Sequence, residues 1–103
     1  MNILLVCAAG LSTSLLVNKM KAALTEEQKD WRIEAHPIAE TEDFIKDFDV
    51  VLLGPQVGHK LNNLKKDFGS YGKPIAVINP MDYGMGRGKE VIAYAEKLYK
   101  EQA

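Results

Sequence analysis

The chain has 103 residues, a formal net charge of −1, 47% hydrophobic and 26% charged residues, and a single cysteine. That length fits one domain around one core, expected to span residues 1–103, and the composition excludes disorder. The near-neutral charge excludes nucleic-acid binding through a broad basic surface, and a lone cysteine excludes an internal disulfide and fits a reducing compartment.

The first apolar run, Asn2 to Val6, reads as a strand. No Lys or Arg precedes it, and it is far shorter than a membrane span, so it is neither a targeting segment nor a transmembrane helix. Bulky Val6 before Cys7, with no basic lead, speaks against a lipid-modified cysteine. A soluble cytoplasmic protein is expected. The run gives way to Ala8-Ala9-Gly10-Leu11-Ser12-Thr13-Ser14, then to a segment with Leu16, Met20, Ala23 and Leu24 at helical spacing. The pattern is strand, loop, helix, and it sets Cys7 at the mouth of a helix N-terminus.

The second strand is predicted over Arg32 to Ile38, at an edge, because Pro37 gives the ladder no donor. A short helix around Glu42 to Lys46 follows, with Phe44, Ile45 and Phe48 as apolar contacts. Val50-Val51-Leu52-Leu53 is apolar at every position and reads as a central strand covered on both faces. Gly54-Pro55 ends it. A helix over His59 to Phe68 places Leu61, Leu64, Lys65 and Phe68 on one side. Pro74 opens the fourth strand, Ile75 to Ile78, and Asn79-Pro80 closes it. The last helix, Gly88 to Glu101, turns Val91, Ile92, Ala95, Leu98 and Tyr99 inward. No repeat, linker or low-complexity stretch occurs.

Alternating strands and helices imply right-handed crossovers and a parallel sheet. The expected architecture is α/β, a flavodoxin-like three-layer sandwich with four strands in the order 2-1-3-4. Ligands bind such sheets past the carboxyl ends of the strands, where the winding reverses. That point lies between the first and third strands, so the loop from Cys7 and the loop Gly54 to His59 should face each other. The loop Asn79 to Gly86 should share their rim.

A helix N-terminus is an anion site, and the same placement favours a thiolate, the attacking form of cysteine. Backbone N–H groups of residues 9 to 14 would hold a phosphoryl dianion. Gly10 lets the backbone approach, and Ser12, Thr13 and Ser14 add hydroxyl donors. Hydrogen bonds to charged groups contribute about 1.5–3 kcal/mol each, so several can stand in for an arginine or a metal, less the cost of desolvation. This reading requires the sulfur to be reachable and ringed by amide hydrogens. The bland alternative is a small buried hydrophobe, the commonest state of free cysteine.

Low-molecular-weight tyrosine phosphatases use Cys, five residues, Arg, then Ser or Thr. Here the arginine position is Thr13, followed by Ser14, so the bidentate phosphate clamp is missing. Asp82 near the rim keeps open a phosphatase-like or arsenate-reductase-like cysteine enzyme, with Asp82 as general acid. No P-loop motif and no zinc spacing occurs. Neither a cofactor nor a metal is expected, and the likeness of the hydroxyl cluster to a flavin phosphate loop is weak.

Cys7-Ala-Ala-Gly-Leu-Ser-Thr-Ser-Leu-Leu-Val-Asn-Lys-Met20 closely resembles the active-site loop and first helix of enzyme IIB of the lactose/cellobiose (chitobiose) type, from the bacterial phosphoenolpyruvate-dependent sugar phosphotransferase system. Val50-Val-Leu-Leu-Gly-Pro-Gln56 resembles that family's third strand and following loop, and Asp82-Tyr83-Gly84 is similar over a shorter stretch. The likeness extends over the whole chain. It implies that Cys7 takes a phosphoryl group from a phosphohistidine on a IIA partner. It further implies transfer to a sugar, such as cellobiose, lactose or chitobiose, held by the membrane IIC transporter, with Ala8, Ala9, Gly10, Leu11, Ser12, Thr13 and Ser14 as the phosphate cradle. The chain is then expected to be monomeric on its own and to associate peripherally with IIC. No role is carried over to Met85-Gly86-Arg87-Gly88.

Rim residues carry alternative readings. His59 either influences the thiol across the switch point or is an exposed helix-start residue. Gln56 either donates towards the phosphate loop or satisfies loop carbonyls. Asp82 and Tyr83 either border the docking face or are plain surface, and Leu11 is either a docking contact or folded onto the first helix. His36 is read as structural or exposed.

Overall fold

The structure, a computed structural model, describes residues 1–8 and 11–102, with the side chains of residues 11–13 and 102 outside the description. Its elements, in chain order, begin with strand β1 (Ile3–Cys7), helix α1 (Leu11–Ala22) and strand β2 (Ile33–Pro37). Helix α2 (Thr41–Phe44) and strand β3 (Val50–Leu53) follow. Helix α3 (Leu61–Phe68), strand β4 (Ile75–Val77), helix α4 (Pro80–Gly84) and helix α5 (Gly88–Gln102) complete the chain. The strands form one parallel sheet in the order β2-β1-β3-β4, which is the flavodoxin-like α/β arrangement.

The sheet's pleat sorts its side chains into two cores. Ile3, Leu5, Val50 and Leu52 join Ile33, Ile78 and the inner faces of α1 and α5. Leu4, Val6, Val51 and Leu53 turn the other way, onto Ile45, Phe48, Val57 and Leu64. Every residue of β1 and β3 is buried, which is why both read as unbroken apolar runs rather than alternating ones. Burying each such Leu, Ile or Val contributes about 1.5–3 kcal/mol, and that sum pins the register.

The helices depart from the expected pattern in particular places. The segment read as one helix over His59 to Phe68 is a 3-10 stretch, Pro55–Lys60, leading into α3, and Lys65 is exposed while Leu61, Leu64 and Phe68 pack inward. On α5, Tyr99 points outward at 44% exposure and Tyr94 takes the inner position instead. Helix α4 lies inside the stretch read as a loop. Its Asn79 side chain caps it, accepting from Met81 N at 2.8 Å and Asp82 N at 3.3 Å, and Pro80 fills the first helical position. Phe44, Ile45 and Phe48 pack as expected, the last two fully buried.

Edge strand β2 carries His36, whose ring stacks on Phe44 with centroids 3.6 Å apart, while its Nε2 lies 2.9 Å from Glu34 Oε1. Arg32 hydrogen-bonds the other Glu34 oxygen and lies over the Phe48 ring. His36 is structural. The Arg32 hydrogen bond, followed by that of His36, holds the Glu34 carboxyl below its ordinary value.

Two outcomes are expected. A Cβ on Gly88 would stand 2.5 Å from the carbonyl carbon and oxygen of Lys19 and 2.6 Å from Met20 N, all backbone that cannot step aside, so Gly88→Ala should destabilise the fold by about 2 kcal/mol or more in urea unfolding. Gly69→Ala, where a Cβ meets nothing within 4 Å, should not. Because Glu34's folded pKa is depressed, its stabilisation is present above the unfolded value and disappears as pH falls through the folded one. The stability gap between the native chain and Glu34→Gln should stay level above about pH 5 and close below about pH 4, amounting to less than about 1 kcal/mol because the pair is partly solvated.

Candidate functional site

β1 runs to β2 through α1 on one side, and β3 lies on β1's other side, so the winding reverses between β1 and β3. Cys7 is the last residue of β1, at that point. On one flank its register partner is Pro37, which has no N–H and so contributes no donor to the ladder there. On the other flank the pairing ends at Val6 with Leu53, and Gly54 comes next, alongside Cys7; its N–H donates to the Val6 carbonyl at 3.0 Å. Cys7 shares the pleat parity of Ile3 and Leu5, so its side chain belongs to the face covered by α1 and α5.

The sulfur-bearing residue is 2% exposed. An openly reachable thiol was the expectation, and burial is the correction. The cause is position: the residue still belongs to the strand, between neighbours on both flanks and beneath the helical layer. The next residue, Ala8, is an exposed bend. Ala9 and Gly10 lie outside the described residues, as do the side chains of Leu11, Ser12 and Thr13, on which part of the expected phosphate cradle and the Leu11 docking contact fall. The backbone of α1 starts at Leu11, so its leading N–H groups open towards the end of β1. No acidic residue occupies the first turn, and Lys19 and Lys21 sit in the last, the charge placement that leaves the N-terminus free for an anion. Ser14 is exposed and lines a shallow groove with Asn18, Lys21, Glu34 and His36 along the β2 edge.

The rim residues separate into two groups. Gln56 and Tyr83 come together at the end of β3: a Cβ placed on Gly54 would lie 2.9 Å from Gln56 Oε1 and 3.6 Å from Tyr83 Cε2. Tyr83 packs on the same core as Ile3 and Leu5, hence on Cys7's face of the sheet. His59 is not brought there. It is exposed, and its neighbours Val57 and Gly58 pack towards the opposite face, Val57 within that core and Gly58 against Val77. Asp82 turns to the β4 side, where it borders a groove with Val77, Asn79 and Tyr94 and pairs with Arg87 at 3.5 Å. It already has a cationic partner and borders the β4 groove, a placement unlike that of a free general acid. Arg87 also donates to Met85 Sδ at 3.1 Å. Sequence reasoning read Gly54 and Asn79 only as strand-ending loop residues; an Asn-Pro pair ahead of a polar turn was the available sign of the α4 cap. Among the described residues no cluster of His, Cys, Asp and Glu could hold a metal ion.

Comparisons with known proteins converge. A family model described as "PTS system, Lactose/Cellobiose specific IIB subunit" matches residues 2–94. The chain is 45% identical over 101 residues to the PTS system galactose-specific EIIB component of Lactococcus lactis subsp. cremoris (strain MG1363), covering 93% of this chain and 94% of the relative. It is 44% identical, with the same coverage, to the cellobiose-specific EIIB component of Lactococcus lactis subsp. lactis (strain IL1403). The solution structure of a cellobiose-specific phosphotransferase IIB component from Borrelia burgdorferi has a TM-score of 0.81 at 36% identity, covering all of this chain and 94% of that one. A longer relative, the lactose-specific EIICB component of Staphylococcus haemolyticus (strain JCSC1435), is 29% identical, and the match takes in 18% of its length.

Burial of Cys7 has a direct consequence for its reactivity. Iodoacetamide should label the folded chain at least about tenfold more slowly than the chain in urea, read by intact mass, because attack waits on local opening. Equal rates would show the sulfur to be open in solution.

Proposed function

Since the chain belongs to the lactose/cellobiose-specific IIB subunit family of the PTS system, a family of sugar phosphotransferase components, we propose that Cys7 is its phosphoryl-carrying residue and that residues 1–103 act as one IIB-type phosphocarrier domain. The observation that carries this reading is the place of Cys7: the only cysteine of the chain stands at the switch point, just ahead of the N-terminus of α1.

The reaction runs in two displacements. The Cys7 thiolate attacks the phosphorus of a phosphohistidine on a IIA partner. An S–P bond forms, the P–N bond breaks, and the electron pair stays on the imidazole nitrogen, which takes up a proton. In the second step a sugar hydroxyl held by IIC attacks the same phosphorus. A P–O bond forms, the S–P bond breaks, sulfur leaves as thiolate, and the hydroxyl proton passes to solvent. A thiolate suits both steps, because it is a good nucleophile and a good leaving group. Stabilisation of the three phosphoryl oxygens falls to backbone N–H groups at the start of α1, which favour negative charge without a metal.

Carriage through Cys7 requires the sulfur, 2% exposed in the resting chain, to be uncovered when a partner docks. A carrier must keep water from the phosphorus until the sugar arrives, and a residue 2% exposed meets that condition in the resting chain. The pairing of Asp82 with Arg87 works in the same direction. Partner docking would then part the groups that cover the sulfur. The EIICB relative, in which a matching segment is 18% of a longer polypeptide, supports a IIC partner. No helix among the described residues is long and apolar enough to cross a membrane. We place the chain at the cytoplasmic face beside IIC, with the substrate a β-linked disaccharide or related sugar chosen by the IIC pocket.

Incubation with a phosphohistidine-bearing IIA protein should add one phosphoryl group to the chain, on sulfur, and Cys7→Ser should prevent stable S-phosphorylation. A phosphoryl mark on His36 or His59 would refute the site. Cys7-dependent turnover of an aryl phosphate at an ordinary phosphatase rate would replace the carrier with a hydrolase.

A further inference from the structure

The carboxamide of Gln56 occupies the space that a side chain on Gly54 would take. A Cβ there would stand 2.9 Å from Gln56 Oε1, 3.6 Å from Tyr83 Cε2 and 3.7 Å from the Val6 carbonyl oxygen. The last two are ordinary van der Waals distances, so the one group displaced by a methyl is the Gln56 carboxamide. Backbone conformation does not call for glycine: φ −60° and ψ 148° at Gly54 are open to any residue. What the missing side chain leaves is room for Gln56.

That room adjoins the sulfur. Gly54 follows the last β1–β3 pair, Val6 with Leu53, so it lies alongside Cys7, roughly one strand spacing of 4.8 Å away. Side-by-side residues of a parallel pair project to the same face, and the parity of Gly54 is that of Val50 and Leu52, on the α1/α5 side. Tyr83, packed on that core, flanks the carboxamide. Gln56 is exposed, and none of its hydrogen bonds is found among the described residues. Among the described residues nothing takes its amide hydrogens, and its carboxamide oxygen lies against Gly54, the residue next to Cys7 in register.

We infer that Gln56 donates a hydrogen bond to the phosphoryl group carried on Cys7, and that Gly54 is the positioning residue that lets the carboxamide lie beside the sulfur. The inference rests on the phosphocysteine reading above and extends it to the side chain that does part of the work of the missing arginine. A neutral amide suits a carrier. It stabilises the dianion by one hydrogen bond without adding a charge that would hold the group back from the sugar.

The test is a double-mutant cycle on the full chain, with a phosphohistidine-charged IIA protein as donor and urea midpoints confirming that each variant folds. Gln56→Ala should slow S-phosphorylation roughly ten- to hundredfold, the size of one hydrogen bond to a charged group. Gly54→Ala should slow it in the native background and have no further effect alongside Gln56→Ala, because its methyl then meets nothing closer than 3.6 Å. In 31P spectra the phosphocysteine of Gln56→Ala should titrate at higher pH than the native one, since a donor to the dianion is lost; a purely structural role would not move it. Native rates and an unmoved titration in Gln56→Ala, or equal slowing by Gly54→Ala in both backgrounds, would overturn the inference while leaving phosphocysteine intact. Absence of any S-phosphoryl adduct on the native chain would instead remove the proposed function, and this inference with it.

Discussion

The pairing of β1 with β3 at the centre of the sheet is the constraint from which the rest follows. Both strands are buried from end to end, because each faces a helical layer above and below. Nothing polar can be accommodated within them without a partner. The runs end together: Cys7 is the last, still buried, residue of β1, and Gly54 follows the last β1–β3 pair, Val6 with Leu53. One pairing thus sets the height of the thiol, the flank on which the Gly54 loop leaves the sheet, and the face to which each side chain turns.

Two devices hold the rim in shape. At one end of α5, Gly88 lies so close to the Lys19–Met20 backbone that α1 and α5 share a contact no larger residue could make. This seats α1, and with it the N–H groups at the head of the helix. Just ahead of Gly88, Asn79 caps α4, the Arg87 N–H donates to the Asp82 carbonyl at 2.9 Å, and the two side chains pair. A helix this short has little stability of its own, so the cap and the pair are what present Tyr83 to Gly54 and Gln56. The opposite face is built differently: Val57 and Gly58 are drawn down onto the second core, and His59 is carried to the surface with them.

A secluded sulfur without an arginine clamp suits the proposed relay better than a hydrolase. A hydrolase gains from an open site, an acid near the leaving group and an arginine clamp. Here Cys7 is buried, Asp82 is engaged with Arg87 on the β4 side, and Thr13 stands where the clamp would be. Family membership establishes a sugar phosphotransferase component; the arrangement around Cys7 is compatible with the carrier chemistry proposed for it.

The chain's own pattern was sufficient for the strands, their order, the two-layered cover and the place of Cys7 at the end of β1, because these depend on local runs of apolar residues and on the rules of parallel crossovers. Val50 to Leu53 announced a central strand by having no polar position at all. Pairwise distances between loops are another matter, since they depend on how helices seat over the sheet. That is why His59, six residues beyond Leu53, seemed able to face Cys7 and instead belongs to the other side. It is also why Asp82 pairs with Arg87, why Tyr94 rather than Tyr99 faces the core, and why the glycine at position 54 acquires a purpose only when Gln56 is seen folded across it. Composition and periodicity decide which residues are buried; only packing decides which of the remaining ones meet, because contact across a rim is set by backbone approaches of a few ångströms that leave no periodic trace in the chain.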